Sequence, residues 1–234
     1  SRARYWRTGL AASSHNEVFA SGDGACGAGL ALSLARDGLQ AATRGRLAEK
    51  EDRRAVLWVQ DRAAIRLTGR PYRHGLPPEL CHRLIHVEAK NCKDALFALE
   101  EGLHCRDLAF VLGEIAGNPK EFDFTVSRRL SLAAEKHGVP LWLVRLDARV
   151  ELSSARMRWR VEAAPSSPGR WNSHAPSIPS WRAELFRARS HAPGQWNLRD
   201  DEGSLIASRA HKPAAPDHVD LVGAAFARSL AAVQ

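Results

Sequence analysis

The 234-residue chain lacks any run of about 18 apolar residues, so no segment reads as a membrane-spanning helix. No secretory leader is read at its start either. Cysteine is sparse: Cys26, Cys81, Cys92 and Cys105 match neither a zinc nor a thioredoxin spacing. Free, mostly buried thiols are the expected state, with the cytoplasm as compartment. The ten histidines are scattered, and none is paired with a cysteine or carboxylate at metal-ligand spacing, so no metal site is expected. His86 reads as a packed strand residue, and Ser13, Ser14 and His15 do not make a nucleophile triad. There is no internal repeat.

What is present suffices for one or two domains with a sizeable core, at 44% hydrophobic residues. The seven tryptophans suit core and interface packing. The formal net charge is +8. Residues 145–199 hold ten arginines against four acidic residues, a net +6. Net charge speaks of association and not of fold. Two readings of the excess stay open: a surface for phosphates or acidic partners, and a solvated arginine-rich face.

Alternating strands and helices are legible over the first 145 residues. Glu17–Ala20 reads as a strand and roughly 28–48 as a helix. The continuous apolar run at 55–60, typical of burial on both faces, reads as a strand, and so do 84–87, 108–112 and 140–144. Helical periodicity covers 93–103 and 125–137, with Gly138 as a C-cap. This rhythm predicts βαβ units and a mainly parallel sheet, an α/β fold. After residue 150 the pattern changes to period two, at 157–163, 181–187 and 195–198, which predicts antiparallel strands with one wet face. A Pro-, Ser- and Gly-rich stretch at 164–180 reads as a loop.

The most informative segment is Gly22-Asp23-Gly24-Ala25-Cys26-Gly27-Ala28-Gly29. It lies between a strand and a helix, the setting of a phosphate-binding loop. Gly22 and Gly27 stand at the spacing of the pattern G-x4-G-K-[ST], with Gly24 between them. The lysine position is Ala28 and the hydroxyl position is Gly29. The lysine neutralises the outer phosphates and the hydroxyl holds magnesium; neither is present. A tight strand-to-helix turn is the plainer reading, and weak anion binding by N–H groups at the helix start is the other.

The chain resembles the ImuA family of RecA-like proteins of bacterial induced mutagenesis. The residues carrying the resemblance are Ser21–Gly29, Val56–Gln60, Asp94–Leu103, Leu112–Glu114, Ser127–Glu135 and Ala155–Val161. It spans roughly residues 15–200. The resemblance implies a RecA-like core, its mainly parallel sheet extended by antiparallel strands over residues 1–203. It further implies work beside an ImuB-like protein and an error-prone DNA polymerase in SOS-induced translesion synthesis, with RecA itself and DNA as further partners.

Compared with a RecA-like ATPase, the metal-binding carboxylate position at the end of the 108–112 strand is Gly113. Glu114 is next to it, and strand alternation points neighbours to opposite faces. Asp61 is a displaced candidate for the second carboxylate. Each preorganised electrostatic group is worth about 100- to 1000-fold in rate, so losing three predicts a protein that is not an enzyme and takes no cofactor. The two segments matching RecA's DNA-holding loops, 116–122 and 146–153, are short. A basic surface of Arg156, Arg158, Arg160, Arg182, Arg187 and Arg189 is the alternative site for DNA or an acidic partner, with Met157, Trp159 and Val161 on the opposite face. Residues 204–234 read as a tail with a short helix, striped by Val219, Val222, Phe226 and Leu230 for the chain's own core or for a partner such as ImuB. A cryptic nucleotide switch or weak NTPase using Glu114 or Asp61, and a direct DNA-binding regulator of RecA, are the alternatives.

Overall fold

A computed structural model describes residues 14–44, 52–166, 178–201 and 204–209. Strand β1 (His15–Ala20) leads through the glycine loop into helix α1 (Cys26–Arg44). Strand β2 (Ala55–Asp61) is followed by α2 (Arg62–Thr68), a 3-10 turn at Arg73–Gly75, α3 (Pro78–Cys81) and β3 (Leu84–Ala89). Next come α4 (Cys92–His104), β4 (Leu108–Ala116), α5 (Phe124–His137) and β5 (Leu141–Leu146). The last described elements are β6 (Met157–Ala163), β7 (Ser180–Ala188), β8 (Gly194–Asp201) and β9 (Ser204–Arg209).

Helix ends follow local chemistry. Asp61, Asn91 and Asp123 cap α2, α4 and α5, each side chain accepting a hydrogen bond from the backbone N–H three residues on. Gly138 closes α5 at φ 69°, a left-handed conformation that costs glycine nothing.

The strands form one sheet in the order β3-β2-β4-β5-β1-β6-β7-β8-β9. Every pairing from β3 to β6 is parallel, and β7, β8 and β9 extend the sheet antiparallel. This is the expected α/β architecture with one correction. Period two in Met157–Ala163 predicts an antiparallel strand, whereas β6 runs parallel to β1, with Asn16 opposite Met157. The alternation reports which face is wet and says nothing about the direction of the neighbour. The sheet also passes the boundary expected at residue 203, since β9 pairs with β8 from Ser204. The helix expected around Val219, Val222, Phe226 and Leu230 lies outside the described residues, as does most of the 164–180 loop.

Successive strand residues feed two apolar layers. Val18, Trp58, Leu112, Val144, Trp159, Trp181 and Trp196 pack under α1. Leu57, Val59, Val111, Leu141 and Leu143 pack under α4 and α5. On that second face, helices cover β2, β4 and β5, while the β6–β8 side chains Arg160, Arg182, Asn197 and Arg199 are exposed.

Candidate functional site

The glycine loop lies at the carboxyl end of β1, bordering a cleft of about 580 Å³. This is the edge where open α/β sheets take ligands. The loop itself is closed from within. The Gly22 N–H donates to Oδ1 of Asp147 at 2.9 Å. Asp147 follows β5 with φ 50°, an uncommon left-handed conformation for a side-chain-bearing residue, and its own N–H donates to the Ala20 carbonyl at 3.0 Å. A carboxylate of the chain therefore sits on an amide that a phosphate would need. Asp23 and Glu162 line the same cleft, so an incoming anion meets three carboxylates there and one arginine, Arg160, that already pairs with Glu184.

Packing takes the two positions where the loop pattern has a lysine and a hydroxyl. Ala28 is 5% exposed within the layer under α1. At Gly29 a Cβ would lie 3.3 Å from Cζ2 of Trp181. A Cβ at Gly27 would come within 2.7 Å of Ala20 Cβ and 2.8 Å of Val144 Cγ1, so this glycine lets α1 approach the sheet. Gly24 meets nothing within 4 Å. Cys26 opens α1, but burial raises its thiol pKa, and the four cysteines are free. Cys92, buried under β2, is pushed up to about 12.

Gly113 packs towards Leu99 and Leu143 on the α4/α5 side, and Glu114 faces the α1/α2 side, as alternation requires. Glu114 is 1% exposed. Its Oε1 accepts from Trp58 Nε1 at 2.7 Å and Gln60 Nε2 at 3.0 Å, and its Oε2 accepts from Thr68 Oγ1 at 3.1 Å. Burial pushes its carboxyl up to about 7. Gln60 Oε1 also accepts a hydrogen bond from His86 Nε2 at 2.9 Å, so His86 is a member of this network, and burial holds it below its usual pKa. Asp61 is the cap of α2, accepting from Ala64 N at 2.6 Å. Both acidic candidates are thus engaged in internal hydrogen bonds.

The two short loops expected from the RecA comparison are tied to each other. Asn118 accepts from Arg149 N at 2.7 Å and donates to Arg149 O at 3.0 Å.

The six arginines do lie on the sheet face opposite Met157, Trp159 and Val161, but they are not one free surface. Arg158 is a correction. It is 3% exposed, its Nε donates to Glu17 Oε2 at 2.7 Å, and its guanidinium lies 5.1 Å from the Phe19 ring centre and 5.5 Å from that of Phe186. Arg156 donates to Glu135 at 2.6 Å, Arg160 pairs with Glu184, and Arg182 lies 3.6 Å from Glu162. Arg187 and Arg189 are exposed, and among the described residues no ion pair engages them. Asp147, which closes the loop, and Glu17, which neutralises Arg158, are the residues sequence reasoning passes over. An acidic residue inside the β1 strand was the available signal for the second.

No group of three or more His, Cys, Asp or Glu side chains that would hold a metal ion occurs among the described residues. No helix among them is long and apolar enough to cross a membrane. No protein-family model matches the chain, and no curated protein matches it significantly.

Proposed function

We propose that this chain is a non-catalytic accessory or scaffold protein with a RecA-like core, acting with an ImuB-like protein and an error-prone DNA polymerase in SOS-induced translesion DNA synthesis. The observation that supports the non-catalytic part is the Asp147–Gly22 hydrogen bond, with Ala28 and Gly29 packed where a lysine and a hydroxyl would be needed. A mostly parallel sheet extended by antiparallel strands agrees with the architecture the resemblance implies. The partners rest on the resemblance of the segments between residues 21 and 161.

Co-expression with an ImuB-like protein tests the reading. Stable co-purification is expected, and its absence at micromolar concentrations of both proteins overturns it.

The loop makes a separate prediction. Millimolar Mg-ATP is expected to leave the melting temperature unchanged, because a ligand that binds only the native state raises it by mass action. The double variant Ala28→Lys/Gly29→Thr is expected to melt lower than wild type and still not respond to ATP. A lysine at position 28 has to enter the apolar layer, and the threonine has to displace Trp181. A saturable rise in melting temperature for either protein shows that the loop binds nucleotide after all.

A further inference from the structure

A groove of about 920 Å³ runs between α5 and the end of β7, away from the glycine loop. Along α5, Phe124, Arg128 and Leu132 recur every fourth residue and so share one wall. Leu152 and Ser153–Ala155 form the floor, and Arg187, Arg189 and Pro193 form the far wall. Three large apolar side chains stand open to solvent here: Phe124 at 41%, Leu132 at 55% and Leu152 at 69%. Grouped exposure of this kind on a soluble surface marks a contact site more often than scattered apolar residues do.

The groove lining carries four arginines and one carboxylate, Glu135. Arg128, Arg187 and Arg189 are exposed, and no ion pair among the described residues engages them. Arg156 is held by Glu135, its Nε donating at 2.6 Å. The floor is rigid, since Ser154 Oγ bonds Ser131 Oγ at 2.6 Å and the Ser127 carbonyl at 2.7 Å.

We infer that this groove binds an acidic peptide segment of a partner protein, one that carries two or more large apolar side chains between its carboxylates. The apolar side chains of the segment cover Phe124, Leu132 and Leu152, and its carboxylates meet Arg128, Arg187 and Arg189 in the forked geometry that arginine favours. A nucleic acid fits less well. Its phosphates would meet the arginines but leave the three apolar side chains in water. The inference rests on the proposal that the chain is an adaptor and names the surface and partner chemistry it uses.

The test is fluorescence anisotropy with a short labelled peptide that alternates Asp with Leu and Phe, with the full chain as receptor. Saturable binding is expected. Two variants examine the two halves of the site: Arg128→Glu/Arg189→Glu and Leu132→Ser/Leu152→Ser. All four positions are exposed, so melting temperatures are expected to stay within a few degrees of wild type. Each variant is expected to weaken the peptide by about tenfold or more, since the first sets two carboxylates against those of the peptide and the second removes two of the three apolar contacts. A peptide with Lys in place of Asp is expected not to compete.

Absence of saturable binding, or equal binding by wild type and both variants, overturns the inference. So does displacement of the peptide by a single-stranded oligo-dT whose own affinity falls with the arginine variant alone, because that describes a phosphate-reading surface. Co-purification with the ImuB-like protein separates this inference from the reading it rests on. If wild type and both variants retain that protein while the peptide does not bind, the groove fails and the adaptor reading stands. If the peptide binds as expected and wild type does not retain the ImuB-like protein, the adaptor assignment fails and the groove stands.

Discussion

Arg158→Ala is expected to destabilise the fold by about 3–5 kcal/mol, the range measured when one partner of a buried ion pair is removed. The side chains of Arg158 and Glu17 are 4% and 0% exposed, so the variant leaves a carboxylate in the interior without its ion-pair partner, with only the more distant field of Arg145 to offset its charge. Ser153 Oγ still donates to Glu17 Oε1 at 2.6 Å, but a single hydroxyl does not replace a guanidinium. The gap between the rings of Phe19 and Phe186 adds a packing loss. Urea denaturation at neutral pH reads the effect. Two controls give it meaning. Arg182→Ala, at an exposed pair 3.6 Å apart, is expected to change stability by no more than about 1 kcal/mol. The double variant Glu17→Met/Arg158→Met is expected to recover most of the loss, because apolar groups of similar volume commonly replace a buried pair at little cost. If Arg158→Ala keeps wild-type stability and instead loses affinity for DNA, Arg158 belongs to a binding surface and its burial here is wrong.

Arg158 also marks how far the sequence carries. Alternation in 156–161 places the arginines on one face and Met157, Trp159 and Val161 on the other, and the structure agrees. What alternation does not carry is the identity of the covering residues. Glu17 lies 141 positions away, and Phe186 comes from a third strand. The strand direction of β6 is hidden for the same reason. The parallel core was legible because both-face burial leaves unbroken apolar runs such as Val56–Val59 and Leu108–Leu112. The glycine loop was legible in its spacing. Its closure was not, since Asp147 reaches Gly22 across 125 residues. Helix α2 did leave local marks, with Asp61 as a cap residue and Gly69 after the last turn, in a stretch too short for a convincing apolar stripe. The groove residues Phe124, Leu132 and Leu152 were the least legible, because an exposed apolar residue looks like a buried one until the fold places it.

The chain is expected to lose stability as pH rises from about 4.5 to about 7, by about 3 kcal/mol from Glu114 alone, at about 1.4 kcal/mol per pH unit of displacement. The sign follows from burial. Glu114 lies above its usual carboxylate pKa of 4.5 because the interior disfavours its charged form, and nearby Asp61 adds repulsion. A group raised in the folded state contributes its full stability below the unfolded value and loses it on ionising at the folded one. The three donors on Glu114 favour the carboxylate without overcoming that cost. Protonated on Oε2, Glu114 donates to Thr68 Oγ1, and Thr68 donates in turn to the Ala64 carbonyl at 3.2 Å, so the neutral acid is also satisfied. Glu114→Gln reproduces that neutral pattern. Its carbonyl accepts from Trp58 and Gln60, and its amide donates to Thr68. At pH 8 the variant is therefore expected to be more stable than wild type by about 2–3 kcal/mol, and at pH 4.5 to match it within about 1 kcal/mol. His86 and His15, both held low by burial, work in the opposite direction as pH falls, and they are common to both proteins, so the difference isolates Glu114. Urea midpoints measured at both pH values decide the matter. A variant that is less stable than wild type at pH 8 means that Glu114 is needed as a carboxylate, which would return it to the list of candidate metal-shell residues and reopen the nucleotide-switch reading.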